Sequence, residues 1–361
     1  MTRTLSIVLG LVVGLASAAA GQANIRNARI ESRPGADLAG TLQGLSREAG
    51  PIWIGYAVPA HDPDWNACCY GSDRDGFGCC GRCLLDDGRS GGASREADVA
   101  RGPVQLEAAR QAVVLYRVER EVLRIRVFSE SCELDAGGRT VYWLTGVTTP
   151  ASIELLQRFA ARPRPDGDRR NHIADGAVAA IAAHRDPAAD RALATLIAAD
   201  QPHETRKQAA FWAGTSRGRA GFELVRAALL DAANAEPFRK HVVFAVSQSR
   251  EPEAMETLIR VAKHDASATV RGEALFWLAQ KAGRRAAEAI TDAIAHDPET
   301  KVTERAVFAL SQLPNQEGVP KLIEVARSNR NPAVRKQAMF WLGQSRDPRA
   351  LEFFQEVLAR P

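Results

Sequence analysis

Val270-Arg-Gly-Glu-Ala-Leu-Phe-Trp-Leu278 and Val334-Arg-Lys-Gln-Ala-Met-Phe-Trp-Leu-Gly343 are two copies of one pattern, 64 residues apart. Between and before them the pattern returns with one phenylalanine per copy: Phe211, Phe244, Phe276, Phe308 and Phe340, in steps of 33, 32, 32 and 32 residues. Five positions before each stand Arg206, Arg239, Arg271, Thr303 and Arg335, and four after stand Thr215, Gln248, Gln280, Gln312 and Gln344. Fourteen after come Val225, Leu258, Ile290, Leu322 and Phe354. A fixed period of this length marks a solenoid, whose units are too small to bury their apolar faces except against one another.

Each unit reads as two helices. Pro252 to His264 forms one, Asp265-Ala-Ser-Ala268 turns, and Thr269 to Lys281 forms the next. The other turns are equally polar: Asp200-Gln-Pro-His203, His296-Asp-Pro-Glu299 and Asn329-Arg-Asn-Pro332. Pro and Asp there stop one helix and start the next. Helices of about 12 residues are marginal alone and depend on stacking. An earlier, more divergent unit spans Ser152 to Arg185, with Ala179 at the Phe position and a loop at Arg162 to Arg170, which brings the total to about six.

The copies at 270–278 and 334–343, the latter followed by Asp347-Pro-Arg-Ala-Leu351, resemble the short bacterial HEAT-like repeats, a type also found in phycobilin lyases. The resemblance covers about 200 residues. It implies an α-solenoid over 150–361 with the second helix of each unit on the concave face. It also implies that Arg206, Arg239, Arg271 and Arg335 brace the inter-helix turns, with Thr303 breaking the ladder. On function it is almost silent, because such repeats serve scaffolds, adaptors and a few enzymes.

With Phe at 0° on a wheel of 100° per residue, the opposite arc of the copy around Phe276 holds Val270, Ala274, Leu275, Trp277 and Leu278, the core side. Close to the phenylalanines lie Lys207, Lys240 and Lys336 at −4, and Gln208, His241, Glu273, Arg305 and Gln337 at −3. Phe therefore centres the polar arc. Two readings are open. The rings form an exposed stripe that contacts a ligand, which would be unusual without a partner, or each folds sideways and stabilises stacking. Trp212, Trp277 and Trp341 alternate with Ala245 and Ala309 and read as core. The ladder Gln280, Gln312, Gln344 bonds along the groove or to loop backbone.

Residues 24–148 have another texture and read as a small β-rich (α+β) domain. Asp37 to Ala49 suits a short helix; Pro51 to Val58, Val113 to Val118, Val122 to Phe128 and Thr140 to Val147 suit strands of an antiparallel sheet, with Asp135-Ala-Gly-Gly138 as a turn. Residues 86–103 read as a mobile loop. All six cysteines lie in this part: Cys68, Cys69, Cys79, Cys80, Cys83 and Cys132. They are expected in disulfides of unknown pairing. Against this stands a metal site, since Cys80-Gly-Arg-Cys83 has a thiolate-zinc gap, or a redox thiol. Asp73-Arg-Asp-Gly76 lacks the later Glu of a calcium loop and reads as a polar turn.

Arg3, the apolar run Leu5 to Ala16 and small residues up to Ala20 have the layout of a secretory signal peptide, residues 1–20, so the mature chain is expected in a periplasm or secreted, without a membrane segment. The helical part carries 31 Lys and Arg against 26 Asp and Glu. That mild excess suits acidic peptides and argues no nucleic acid. There is no phosphate loop, nucleophile elbow or His/Glu zinc motif. Related solenoid hydroxylases use several His-Glu pairs for iron, and here His203-Glu204 stands alone, read in a turn; His184, His264 and His296 read as solvated or capping helix-end residues. The expectation is a non-enzymatic scaffold that needs no cofactor and binds a peptide or protein along the concave face. The alternative is an enzyme or accessory factor of lyase-like or metal/thiol-dependent type that uses the Cys-rich part.

Overall fold

The computed structural model describes residues 23–47, 50–61, 83–85, 110–130, 132–162, 173–281 and 284–359. The calcium-like turn, the loop at 86–103 and all cysteines but Cys132 and the backbone of Cys83 lie outside them.

Six strands make the sheet: β1 (Ile25–Pro34), β2 (Ile52–Pro59), β3 (Cys83–Leu84), β4 (Gln111–Glu119), β5 (Glu121–Ser129) and β6 (Leu134–Thr145), with helix α1 (Leu38–Leu45) between β1 and β2. Their order is β1-β6-β2-β4-β5, with β3 added to β6. β2, β4 and β5 pair antiparallel as expected, but β6 runs parallel to β1, β2 and β3, so the sheet is mixed. The correction has a local cause. Asp135-Gly138 is not a turn: Gly137 and Gly138, at φ 60° and 79°, lie inside one continuous strand, opposite a register shift in β1. Positive φ at glycine bends a strand without ending it. β1 itself, rich in Arg and Glu, gave no apolar signal.

β2 and β4 are buried on both faces, as their near-continuous apolar runs require. Trp53, Val113, Leu115, Phe128, Leu134 and Trp143 pack one face. Ile54, Tyr56, Val114, Tyr116 and Ile125 pack the other into a core that continues through the helices as far as Phe353.

The helices are α2 (Thr149–Ala160), α3 (Ala174–Ala183), α4 (Pro187–Ile197), α5 (His203–Ser216), α6 (Gly218–Leu230), α7 (Glu236–Gln248), α8 (Glu253–His264), α9 (Ala268–Lys281), α10 (Arg284–His296), α11 (Thr300–Ser311), α12 (Val319–Ser328), α13 (Pro332–Gln344) and α14 (Pro348–Leu358). They form six pairs, α2–α3 to α12–α13, and α14 begins a further one. Second helices pack closely on one another from α3 to α13, whereas first helices meet only at a few points, so the row of second helices is the inner side of the curve.

Side chains at −3 and +1 point back to the preceding unit: His241 Nε2 approaches the Lys207 carbonyl at 3.2 Å, and the Trp277 ring meets Phe244. In α3 the −3 residue is Gly176. A Cβ there would stand 2.0 Å from the Ile125 carbonyl oxygen of β5. Strand β5 thus takes the place of a preceding second helix, and the Ala- and Gly-rich sequence of α3 lets it come that close. The sheet closes the first end of the stack, where an apolar unit would otherwise face water.

Candidate functional site

The inner face is built around one line of aromatic rings. Phe211 stacks on Phe244 with centroids 5.8 Å apart and planes 16° off parallel, and Phe276 on Phe308 at 5.9 Å and 4°. The tryptophans join these pairs. Trp277 lies 4.6 Å from Phe244 and 5.0 Å from Phe276, and Trp341 lies 4.9 Å from Phe308 and 5.0 Å from Phe340. Trp212 meets Phe211 edge-on at 5.2 Å. Eight rings run unbroken from α5 to α13. Phe211, Phe244, Phe276 and Phe308 are half-buried and Phe340 is 53% exposed. Each ring leans on a neighbour, as the stacking reading describes, and each remains partly exposed. The tryptophans are also half-buried, packed on the core by one side and on the phenylalanines by the other.

Charges border this ribbon. The Glu273 carboxylate, 14% exposed, accepts from Trp277 Nε1 at 2.9 Å and lies 3.7 Å from both Lys240 Nζ and Arg305 Nη2. The Arg305 guanidinium stands over Phe276 and Phe308 at 5.6 and 5.5 Å, a favourable cation–π geometry. Lys207 pairs with Glu204 at 3.0 Å, and Lys336 is exposed. Gln280, Gln312 and Gln344 are exposed along the ribbon, as is Gln248; Gln248 and Gln312 each donate one amide N–H to the preceding serine. In the sequence Glu273 and Arg305 are two of eight polar residues beside the phenylalanines; their joint role needs the helices side by side.

The arginine ladder lies at the edge. Arg206 Nε donates to the Ile197 carbonyl at 2.8 Å, and its Nη2 reaches Asn234 Oδ1 in the next turn at 2.5 Å. Arg239 bonds the Leu229 carbonyl at 3.0 Å and pairs with Asp265. Arg271 bonds the Asp265 carbonyl at 2.8 Å and grips Asp297 at 2.7 and 3.0 Å. Arg335 bonds the Asn329 carbonyl at 2.7 Å. Three rungs hold their own turn and the following one together. At Thr303 the hydroxyl only bonds Thr300 in its own helix, at 2.8 Å.

A polar relay that the sequence did not announce joins sheet to helices. Tyr116 and Tyr56 hydroxyls lie 2.8 Å apart, Tyr56 and Ser152 2.6 Å, and Ser152 Oγ and His184 Nε2 2.9 Å; His184 Nδ1 meets the Ala180 carbonyl at 2.6 Å. A carbonyl only accepts, so Nδ1 carries the proton and Nε2 accepts from Ser152. Burial pushes the imidazole down to about 4 and the Tyr56 phenol up to about 12. Ser152 and His184 are fully buried, so this Ser–His pair meets no substrate. His184 caps α3 and is not solvated, unlike His264 and His296, which are exposed. Arg217, also buried, pairs with Asp190 at 2.7 Å and donates to the carbonyls of Ala182 and His184 at 3.1 and 2.5 Å.

His203 and Glu204 open α5 rather than lying in the preceding turn. Among the described residues no three His, Cys, Asp or Glu side chains are placed to hold a metal ion, and no helix is long and apolar enough to cross a membrane.

The family model of HEAT repeats matches residues 287–361. No curated protein matches the chain at a significant level. Among solved structures, the chain is similar to human deoxyhypusine hydroxylase in complex with glycerol (15% identity over 58% of this chain and 90% of that one, TM-score 0.28). It is also similar to the CpcE–CpcF complex of phycocyanin lyase from Nostoc sp. PCC7120 (22%, 44% and 100%, 0.34). A third likeness is to Kap95p from a complex with RanGDP (18%, 59% and 32%, 0.38), about a third of whose length it spans. Likeness at this level says nothing about chemistry. The helices within residues 287–361, behind the last part of the aromatic ribbon, match the HEAT-repeat model.

Proposed function

We propose that this protein is an exported scaffold that holds a peptide or protein partner along the inner helices of its repeats. The observation that carries the reading is the eight-ring ribbon with its edges at the surface, bordered by exposed glutamine amides and by Lys240, Arg305 and Lys336. A ladder needed only for stacking would have no use for a row of exposed amides beside it. Apolar contact to ring edges supplies affinity, and the surrounding donors and cations supply orientation. Export rests on the apolar run Leu5 to Ala16 and its small-residue flank. Cys132, buried under the sheet and disulfide-bonded, fits folding in an oxidising compartment.

Site-specific photo-crosslinking tests the reading. A benzophenone side chain at Gln312 on the inner face should capture one predominant partner from the exported fraction. The same probe at Arg260, exposed on first helix α8, should not. Equal capture from both positions would refute a dedicated inner-face site.

A further inference from the structure

We propose that two copies of this chain pair through the open end of the helical stack, α13 and α14 of one against the same helices of the other about a two-fold axis. The contact uses the end of the stack and is independent of any partner on the inner face. At that end the described residues offer no second helix after α14. Seven large apolar side chains are exposed among the described residues, and five of them, Met339, Phe340, Leu351, Val357 and Leu358, lie on these last two helices. The repeat shows what a neighbour would cover. Met339 stands one position before its phenylalanine and is 37% exposed, where Ala210, Val243, Leu275 and Val307 are fully buried. Leu358 stands eighteen positions after it and is 84% exposed, where Leu229, Ala262, Ile294 and Ala326 are buried. A terminal repeat needs a polar outer face to remain in water. This one is apolar, the mark of a contact surface.

Two details make the occupant a helix that carries an aromatic ring. The residue three after each phenylalanine faces the following unit: a Cβ at Gly214 would stand 2.3 Å from the Ala245 carbonyl oxygen of α7. Gly343 holds the same place in α13, and nothing lies within 4 Å of a Cβ there. A helix can therefore approach α13 as closely as α7 approaches α5. The phenylalanines also stack in twos, Phe211 on Phe244 and Phe276 on Phe308, each time starting from a unit with Trp after Phe. Phe340, beside Trp341, starts a third such stack that lacks its second ring.

Phe340 is the one exposed aromatic side chain among the described residues. The surface of this chain that can supply the missing ring is therefore the same face on a second copy. A stack open at both ends would grow head to tail, but β5 closes the first end at Gly176. Like then meets like, and the contact closes at two copies. Charge fixes the direction. Helix α13 carries Arg335 and Lys336 near its start and no charged side chain from Ala338 to Gln344. An axis along the helices would set the two copies of Lys336 against each other. An axis across them makes the helices antiparallel and brings each Lys336 to the carbonyl end of the other α13, where a cation is favoured.

Sedimentation equilibrium of the full chain across the micromolar range tests this, and should give a mass that levels off at twice that of the chain. Gly343→Arg places a side chain in open space and replaces a helix glycine, so the monomer should fold and melt no lower than the wild type. It should nevertheless associate about a hundredfold more weakly. Met339→Glu/Leu358→Glu should do the same, whereas Leu123→Glu, exposed on β5, should leave the dimer intact. A monomer at every concentration would overturn the pairing. So would a mass that keeps rising with concentration, a dimer that survives both end-face variants, or one that Leu123→Glu dissolves as well.

Discussion

His184 carries the consequences of a single buried ring. Its pKa falls from 6.5 to about 4 because burial penalises the imidazolium; the Ala180 carbonyl opposes that shift and the nearby Arg217 adds to it. In the unfolded chain the ring titrates at its ordinary value, so between pH 6.5 and 4 the unfolded state binds the extra proton and folding stability declines as pH falls. The full difference amounts to about 3 kcal/mol, fully present above pH 6.5. Urea unfolding at pH 7.5 and pH 5 should show a loss of roughly 2 kcal/mol in the wild type from this group. His184→Gln should flatten that slope, and an unchanged slope would remove His184 as its source. Phe276 makes the second test at this scale. Its ring is half-buried between Trp277 and Phe308, so Phe276→Ala should cost about 2 kcal/mol, below the ~3–5 kcal/mol of a fully buried ring. A chemical-denaturation loss near zero would mean the stacks do not hold the units. None of this lay in the wheel, which put Phe at the centre of the polar arc but could not show that neighbouring rings reach one another. Glycine and alanine in α3 looked like divergence; they mark the approach of β5, and only the position of Ile125 reveals it.

At the scale of elements, the arginine ladder distributes stability unevenly. Arg239 is buried and the Asp265 side chain is 5% exposed, and each also holds a turn: Arg239 by the Leu229 carbonyl, Asp265 by accepting from Ser267 N at 2.9 Å. Arg239→Ala leaves a buried carboxylate unpaired and should cost about 3–5 kcal/mol. Thr303 leaves the α11-to-α13 junction without its rung, although the turn acceptor Asn329 is still there. Thr303→Arg should add roughly 1 kcal/mol, the value of a hydrogen bond or two to a turn. Hydrogen exchange reads it directly: amides of α12 to α14 should slow while those of α6 to α9 stay unchanged. Equal slowing everywhere would show global stabilisation, and none would show that the new side chain finds no partner. The period alone made the ladder and its gap legible, because an Arg at a fixed place in each unit has a fixed neighbour. The mixed sheet was not legible in the same way. Local alternation identifies strands, but the parallel partners of β6 are set by pairings distant in sequence, from Cys83 with Leu134 to Ile25 with Leu134.

For the whole molecule, the junction between sheet and helices decides whether this is one folding body. A repeat array draws its stability from unit-to-unit interfaces, so an end unit without a cap exposes a surface made for contact. Here β5 covers α3, and the Tyr116–Tyr56–Ser152–His184 relay crosses the same junction fully buried. The apolar core shows no break there. Residues 149–361 expressed without the sheet should therefore expose the surface of α3 around Gly176 that β5 covers and leave the Ser152 hydroxyl without Tyr56, and should associate or melt well below the full chain. Gly176→Ala separates loss of the cap from loss of sequence. Its Cβ would press on the Ile125 carbonyl, and overpacking of this kind costs about 1–3 kcal/mol. If the two parts fold as one body, calorimetry of Gly176→Ala should show a single transition shifted down as a whole. If they fold independently, the transition should split, with the part belonging to α6–α14 unmoved. A split would confine the sheet to covering one end of the stack. A single transition would mean that a partner on the ribbon and the distant sheet report on the same folding equilibrium.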